Sequence, residues 1–487
     1  MHTYQSSSTA TVPPVASPSG MLVAICIGAF LSHYTASVVH ISLPYLAEAL
    51  QSDSASVSWI TTGYLLAITS LLPVMGKLGE RWGYRRIHNY GFVLFTIGSL
   101  LTAMASGILP LLGFRLLQAV GAAMFQATNI ALVTIHLPPQ RRGRALGMVS
   151  TAVALGAMCG PAIGGMIAEW LHWRWLFLLH VPVALLGIWL AFRHIPQQEP
   201  QSGQAASNPV GVLLLIISTA SGVYGLSQAG AQGWLALESI GPLSVSLAAL
   251  LLLVGWEHYQ HRPFLPIQAL RIPQVGAGLI VSVASFAIAN HGLVTLPFYL
   301  SGIGSLTPSL AGGVLAFYPL WLAITGPLAG YGSDTLGPGS LVSLGLAAMG
   351  GGSALFFLYL GDLPIWGICF VLALIGLGMG LVASPNNSFI MRHTPQEHVG
   401  AISGMIALTR NLGMALGAAL GLGSIDVQAG PLMSRSIQEA FGTSIYMAAA
   451  ALILWSFRLY RGNGPSSRSR IAKHAQRHAY SREEKSP

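Results

Sequence analysis

The sequence predicts an all-α membrane protein: two repeated six-helix halves with two further helices between them. Three observations carry this. First, 53% of the 487 residues are hydrophobic and only 8% are charged, whereas soluble domains carry roughly 25% charged residues. So much apolar surface needs lipid as its solvent. Second, the chain holds fourteen apolar runs, each of about 20 residues, the length that crosses a bilayer. Third, two stretches recur. Pro73–Gly83 (PVMGKLGERWG) and Pro327–Gly337 (PLAGYGSDTLG) both obey P-x-x-G-x-x-x-[DE]-x-x-G at an offset of 254. Gly143, Gly147, Met148, Gly156 and Gly160 match Gly400, Gly404, Met405, Gly413 and Gly417, each at an offset of 257. Two independent matches at nearly one offset imply two copies of one helical unit.

In chain order the runs centre near Gly28, Ala67, Ile97, Gly121, Ala154, Leu185, Thr219, Leu250, Ala287, Leu320, Leu346, Leu374, Leu412 and Ala450. The first repeat closes helix 2 and its copy closes helix 10; the second lies in helices 5 and 13. A six-plus-six chain would put the copies in helices 8 and 11, so two extra helices, near residues 209–257, separate the halves. The expected organisation is an N-terminal tail (1–20), a first bundle (21–200), the extra pair (201–265), a second bundle (266–461) and a basic tail (462–487). With the N-terminus cytoplasmic, nineteen of the 23 Lys and Arg fall on cytoplasmic segments and only Arg174 and Arg435 on outer loops. That bias puts both termini inside and accounts for the net charge of +9 without nucleic acid. Parallel duplicated halves in a lipid-embedded chain imply a secondary transporter with its site between them. Residues 1–20 lack the basic start of a cleavable signal. Cys26, Cys159 and Cys369 sit in apolar runs and read as buried thiols, and neither metal nor cofactor is expected.

The helix 2–3 junction is a short basic turn. Gly76 and Gly83 permit close approach and reversal, and Glu80 can accept from a helix N-terminus among Lys77, Arg81, Arg85 and Arg86. The copy keeps Gly330, Asp334 and Gly337 but not the basic residues. Both read as a latch between halves, with a topogenic loop as the plainer reading. In helix 4, Arg115 lies inside an apolar run, where a charge costs about 2.5–3.5 kcal/mol on insertion scales; Gln118 shares its face. Helix 13 places Arg410, followed by Asn411, at like expense, though its equivalent in helix 5 is Val153. Anchoring and coupling both remain open for these arginines. Helix 5 carries Gly156, Gly160, Pro161, Gly164 and Gly165, a small-residue stripe with a helix breaker, suited to close packing with a bend.

These motifs resemble the major facilitator superfamily over nearly the whole chain, and the helix count resembles its fourteen-helix drug/proton antiporter branch. The segments that carry the likeness are WITTGYLLAITSLLPVMGKLGERWGYRRI, LGFRLLQAVGAA, GAMCGPAIGG, WRWLFLLHVP and GLGMGLVASP followed by GMIALTRNLGMALG. The resemblance implies the major facilitator fold, two six-helix bundles plus two linking helices, and the helix 5 motif implies antiport and export. The chain departs from the branch in helix 1. In YTASVVHISLP, Thr35 stands at the usual acidic position and His40 at the usual Asn; His180 replaces another common Asn. None of the fourteen Asp and Glu sits in the middle of an apolar run.

A proton carrier must therefore be sought among His33, His40, His180 and His291, since imidazole titrates near neutrality. With Arg115 and Arg410 these give the interior a neutral-to-positive character, which favours neutral or anionic substrates over dications. A pocket for amphipathic molecules needs aromatic walls and a few polar points; Tyr64, Gln126, Asn129, Asn290, Tyr299, Tyr318, Trp321, Asn386 and Asn387 are the candidates, and packing is the alternative for each. The expected function is proton-coupled efflux of small amphipathic molecules by a monomer in a bacterial inner membrane, with membrane lipids as partners. The alternative is proton-independent or anion-coupled exchange. An embedded enzyme finds no H-E-x-x-H or paired carboxylates within a helix, and a sensor finds no output domain.

Overall fold

The computed structural model describes residues 18–52, 54–197, 208–260, 265–300, 306, 308–423 and 432–462. The side chains of His40, Pro161 and Gly165 lie outside that description. Fourteen long helices follow one another: α1 (Pro18–Ile41), α2 (Ser54–Trp82), α3 (Tyr84–Ala103), α4 (Ile108–His136), α5 (Pro139–Trp170), α6 (His180–His194), α7 (Pro209–Gln232), α8 (Leu237–Tyr259), α9 (Pro273–Phe298), α10 (Phe317–Leu336), α11 (Pro338–Tyr359), α12 (Ile365–His393), α13 (Val399–Leu422) and α14 (Leu432–Gly462). Short helices bridge several of them, and no strand occurs among the described residues. Among the described residues, thirteen helices are long and apolar enough to cross a membrane.

The count of fourteen spans is thus not met by length and apolarity alone. The helix short of it is α3, whose opening turns carry Arg85, Arg86, His88 and Asn89 and leave too little uninterrupted apolar sequence. Its 20 residues still make a rod of about 30 Å. It packs antiparallel to α4: Gly91 abuts Met124 and Phe125, and Gly98 abuts Gln118.

One core gathers Phe92, Phe95 and Phe125 with α1, α2 and α5 residues and crosses into the second half through Leu279, Ile390 and Ile406; another gathers Phe356, Phe441 and Trp455. The pair α7–α8 has a small core of its own around Leu215 and Leu253. Ser218 and Ser246 lash that pair by donating to each other's carbonyls at 3.0 and 2.7 Å. At its base, buried Glu257 accepts from Asn208 Nδ2 at 2.6 Å and the Leu265 amide at 2.8 Å.

The end of the bundle where α2 turns into α3 and α10 into α11 is the latch end. Both turns use a glycine at positive φ, Gly83 at 91° and Gly337 at 86°, a backbone region that side chains disfavour. The halves are joined here by hydrogen bonds from α2 to α13, α4 to α13 and α5 to α10 and α12. Ser403 Oγ donates to the Ala127 carbonyl at 2.6 Å, Ser384 Oγ to the Gly143 carbonyl at 2.9 Å and Thr151 Oγ1 to the Ala323 carbonyl at 2.9 Å. Toward the opposite end α7 touches both halves. Tyr224 stacks on Trp59 of α2 at 5.7 Å, and Gly230 lies against Ala419 of α13.

Candidate functional site

Seven helices, α1, α4, α5, α9, α10, α12 and α13, meet around a central cavity of about 50 Å³, room for one or two waters at about 30 Å³ each. Its polar lining is His33, Gln126, Asn129, Ser150, Asn387 and Arg410, set among Phe286, Met379, Ile406 and other apolar side chains. Gln126 Nε2 donates to Ser32 Oγ at 3.2 Å, and His33 Nδ1 is shared between Ser32 Oγ and the Ala29 carbonyl at 2.9 and 3.0 Å. Three buried polar atoms of this lining have no partner among the described residues: Gln126 Oε1, Asn129 Oδ1 and Arg410 Nε. No carboxylate of the described residues lines the cavity. A guanidinium in a low-dielectric chamber with spare amide oxygens suits a molecule that brings its own acceptors and an apolar body.

Arg115 is not part of this site. It is 1% exposed and fully engaged: Nε donates to the Ile60 carbonyl at 3.4 Å, Nη2 to the Thr35 carbonyl at 3.0 Å and Nη1 to Gln118 Oε1. Its guanidinium also lies 3.9 Å from the Tyr64 ring centroid. Gln118 passes the chain on to Ser99 Oγ at 2.6 Å. Arg115 thus meets the backbone of Thr35 and not its side chain.

The four histidines separate. Of the three whose side chains are described, His33 faces the cavity. His40 belongs to α1, but its side chain lies outside the described residues. Buried His180 bonds the Phe177 carbonyl at 3.0 Å and packs edge-on against Tyr34 and Phe95. Buried His291 meets Ser444 Oγ at 2.9 Å and stacks on Phe441 at 5.0 Å. Among the other candidates, Asn411 Nδ2 spans the halves to Thr69 Oγ1 at 3.1 Å. Asn290 and Asn386 donate to the Met414 and Gly278 carbonyls at 2.7 and 2.8 Å, and the Tyr299 hydroxyl to the Leu360 carbonyl at 2.8 Å. Tyr318 is buried in the second core and Trp321 is 36% exposed. Ser150, Phe286 and Met379 went unread in the sequence, since a Phe or Met inside an apolar run looks like any core residue.

The latch is two related contacts. Glu80, 7% exposed, accepts from the Ala401 amide in the first turn of α13 at 2.8 Å and pairs with Lys77 at 2.9 Å. Asp334 accepts from the Gly143 and Arg144 amides near the start of α5, both at 3.0 Å. Its cation comes from α12 instead of the turn: Arg392 lies 3.6 Å away. At Ala401 the carboxylate meets an amide of the kind a helix leaves unpaired in its first turn, and both carboxylates lie near a helix N-terminus, where the dipole favours negative charge. Close backbone crossing makes both contacts possible. A Cβ on Gly400 would lie 2.5 Å from the Gly76 oxygen, and Gly330 similarly abuts Gly143. Arg85 ties α3 to α6 through the Phe192 carbonyl at 2.7 Å, while Arg81 and Arg86 are exposed. In α5, Gly156 meets α1 at Phe30 and Tyr34, Gly160 meets Ser37 and Val38, and the Gly164 carbonyl accepts from Ser42 Oγ at 3.4 Å. The helix runs unbroken through Pro161 and Gly165. Among the described residues no group of three or more His, Cys, Asp or Glu could hold a metal.

The family model for the Major Facilitator Superfamily matches residues 25–418. The riboflavin transporter RibZ of Clostridioides difficile is 30% identical over 400 residues, 82% of this chain and 86% of the relative. The tetracenomycin C resistance and export protein of Streptomyces glaucescens is 26% identical over 429 residues, 87% of this chain and 77% of the relative. A multidrug resistance protein B homolog of Mycobacterium tuberculosis is 28% identical over 408 residues, 81% and 74% of the two chains. Among solved structures, the human organic anion transporter MFSD10 (TETRAN) superposes with a TM-score of 0.64 at 15% identity, covering 90% of this chain and all of that one, a likeness of fold alone.

Proposed function

The chain belongs to the Major Facilitator Superfamily, a multi-pass membrane transporter and not an enzyme, and from that premise we propose that it exports small neutral or anionic amphipathic molecules through the Arg410 cavity. The observation that carries the reading is Arg410. Among the described residues its buried Nε has no partner and no carboxylate lines the cavity around it, so a dication would meet uncompensated positive charge. The relatives support export: two of them are named for antibiotic or multidrug resistance, and RibZ for moving riboflavin.

The cavity is small because the halves are closed together at the latch end. Alternating access follows if Glu80 and Asp334 release the N-terminal segments of α13 and α5 and the halves rock apart there. The charge bias of the loops supports a latch end facing the cytoplasm, hence loading from that side, in the inner membrane of a bacterium, by a monomer. Protons are the proposed driving ion. His33 lines the same cavity as Arg410, and its imidazole is the side chain there with a nitrogen that can take up and release a proton; each charge moved through 100 mV supplies about 2.3 kcal/mol. Absence of a carboxylate from the cavity lining also favours a second reading, anion-coupled or proton-independent exchange. Flux of an anionic, a neutral and a dicationic probe from proteoliposomes, with and without a pH gradient, tests both. Proton-driven export predicts flux of the first two that collapses with the gradient and weakens in His33→Asn. Gradient-independent flux selects the second reading, and preferred dication flux rejects the substrate assignment.

A further inference from the structure

Ser403 of α13 reaches from the second half into the backbone of the first. Its hydroxyl, 0% exposed, donates to the Ala127 carbonyl at 2.6 Å and accepts from the Ala131 amide at 3.2 Å. Those groups stand four residues apart in α4, so they are the acceptor and donor of one rung of its hydrogen-bond ladder. α4 is helical throughout Ile108–His136, and the Ser403 hydroxyl lies across that rung. A side chain set into the ladder is a recognised cause of helix bending. The rung borders the central cavity, which Gln126, Asn129 and Ile130 line from α4. On α13, Ser403, Ala407 and Arg410 follow at i, i+4 and i+7 along one face, and the last two line the same cavity. Ser403 is also two residues from Ala401, whose amide Glu80 holds. One hydroxyl therefore stands between the latch and the cavity wall. The repeat does not require it, because at the offset of 257 the matching residue of α5 is Leu146.

Resting on the reading of this cavity as the transport site, we propose that Ser403 is a positioning residue for it. Seated on the Ala127–Ala131 rung, Ser403 holds the Gln126 and Asn129 wall of α4 in the compact, releasing place; withdrawn, it lets that wall shift to the loading place. When Glu80 lets go of α13, Ser403 leaves α4 and the rung closes on itself. The freed hydroxyl then turns back to the Val399 carbonyl, the i−4 bond open to a helical serine. No buried group loses its partner in either arrangement, so the two lie close in energy and a ligand can bias them. The coupling is reciprocal: latch opening strengthens the hold on substrate, and substrate on Gln126 and Asn129 favours the open latch.

The test uses the full chain in proteoliposomes. In Ser403→Ala the α4 rung completes itself, so thermal stability stays native while the withdrawn arrangement gains. Export of the anionic probe should then show KM and kcat both lowered about fivefold, the small end of coupling between sites. A wall kept in its loading place binds more tightly and releases more slowly. A merely structural serine would lower kcat through lost protein and leave KM unmoved. Asn129→Ala should erase most of the KM change, because residues that act through one element are not additive. A second readout needs no ligand. Asn129→Cys on α4 and Val149→Cys on α5, both positions in the cavity lining, are alkylated with N-methylmaleimide and scored by peptide mass. Ser403→Ala should raise the ratio of the first rate to the second about fivefold. Ser384→Ala, which cuts a tie between the halves at the Gly143 carbonyl and leaves α4 alone, should not. An unmoved ratio in Ser403→Ala, an equal shift in both serine variants, or a fully additive Asn129→Ala overturns the assignment. A native chain that exports no anionic probe would sink the proposed substrate class instead, and the alkylation ratio would still decide the role of Ser403.

Discussion

Two arginines stand inside the membrane-embedded part of this protein, and they resolve the same energetic problem in opposite ways. Arg115 is enclosed by acceptors: two backbone carbonyls, a Gln118 amide and the face of Tyr64. Arg410 lines a cavity with its Nε unpartnered, and among the described residues it has no ion pair. A charge within a membrane helix costs about 2.5–3.5 kcal/mol on insertion scales. Where the protein supplies every partner, that cost is met by the fold and the residue holds helices α1, α2 and α4 together. Where partners are missing, a ligand can supply them. The residue type was the same in both cases; the completeness of its hydrogen bonding distinguishes scaffold from site.

The comparison breaks most visibly at Arg115. Arg115→Ala leaves Gln118 and two carbonyls without their buried donor, and each buried acceptor left unsatisfied costs about 1–3 kcal/mol. We expect a large fall in thermal stability and in monodisperse yield by size-exclusion chromatography. Arg115→Lys should rescue little, because an ammonium cannot match the fork geometry. A stable, transport-competent Arg115→Ala would erase the distinction. Arg410→Gln should do the reverse. Thermal stability stays within about 1 kcal/mol since no partner is orphaned, while flux of anionic probes falls about tenfold or more, a loss of at least 1.4 kcal/mol of binding.

Smaller effects sharpen the picture at the latch. Asp334→Ala removes two amide bonds to the carboxylate and Glu80→Ala removes one. Each such charged bond is worth about 1.5–3 kcal/mol, so both should widen the latch end, Asp334→Ala more. Spin labels at exposed Arg141 and Thr335 would read the separation of α5 from α10; an unchanged distance distribution would relegate Asp334 to local capping. Smallest of all, His180→Phe and His291→Phe each lose a single bond worth about 1 kcal/mol and should leave flux within about twofold, with an unaltered pH profile in vesicle assays. A shifted profile would return either histidine to the pathway.

Much of this was legible in the sequence, and the limits have physical causes. The repeat and the apolar runs gave the helix order, because spacing and hydropathy are local properties. Glu80 and Asp334 were readable as helix-end acceptors, since a conserved spacing within one chain implied one role in both halves. Yet the amides they would meet, at Ala401 and Gly143, are joined to them only by the fold. The span that falls short, α3, was counted from its centre, and its basic start weakens it. The candidate site was half legible. A polar residue in an apolar run must point somewhere protected, but sequence does not tell a carbonyl-bound Asn290 from a cavity-facing Asn387, nor a saturated Arg115 from an open Arg410.

The central claim is that Arg410 is an unsatisfied charge awaiting a substrate acceptor. Matched anionic, neutral and dicationic probes, assayed for flux in proteoliposomes of the native protein and of Arg410→Gln, test it most directly. The account predicts that the native protein moves the anion and the neutral probe, and that the variant loses the anion while keeping much of the neutral flux. Identical rankings in the two proteins, or a native preference for the dication, would contradict it.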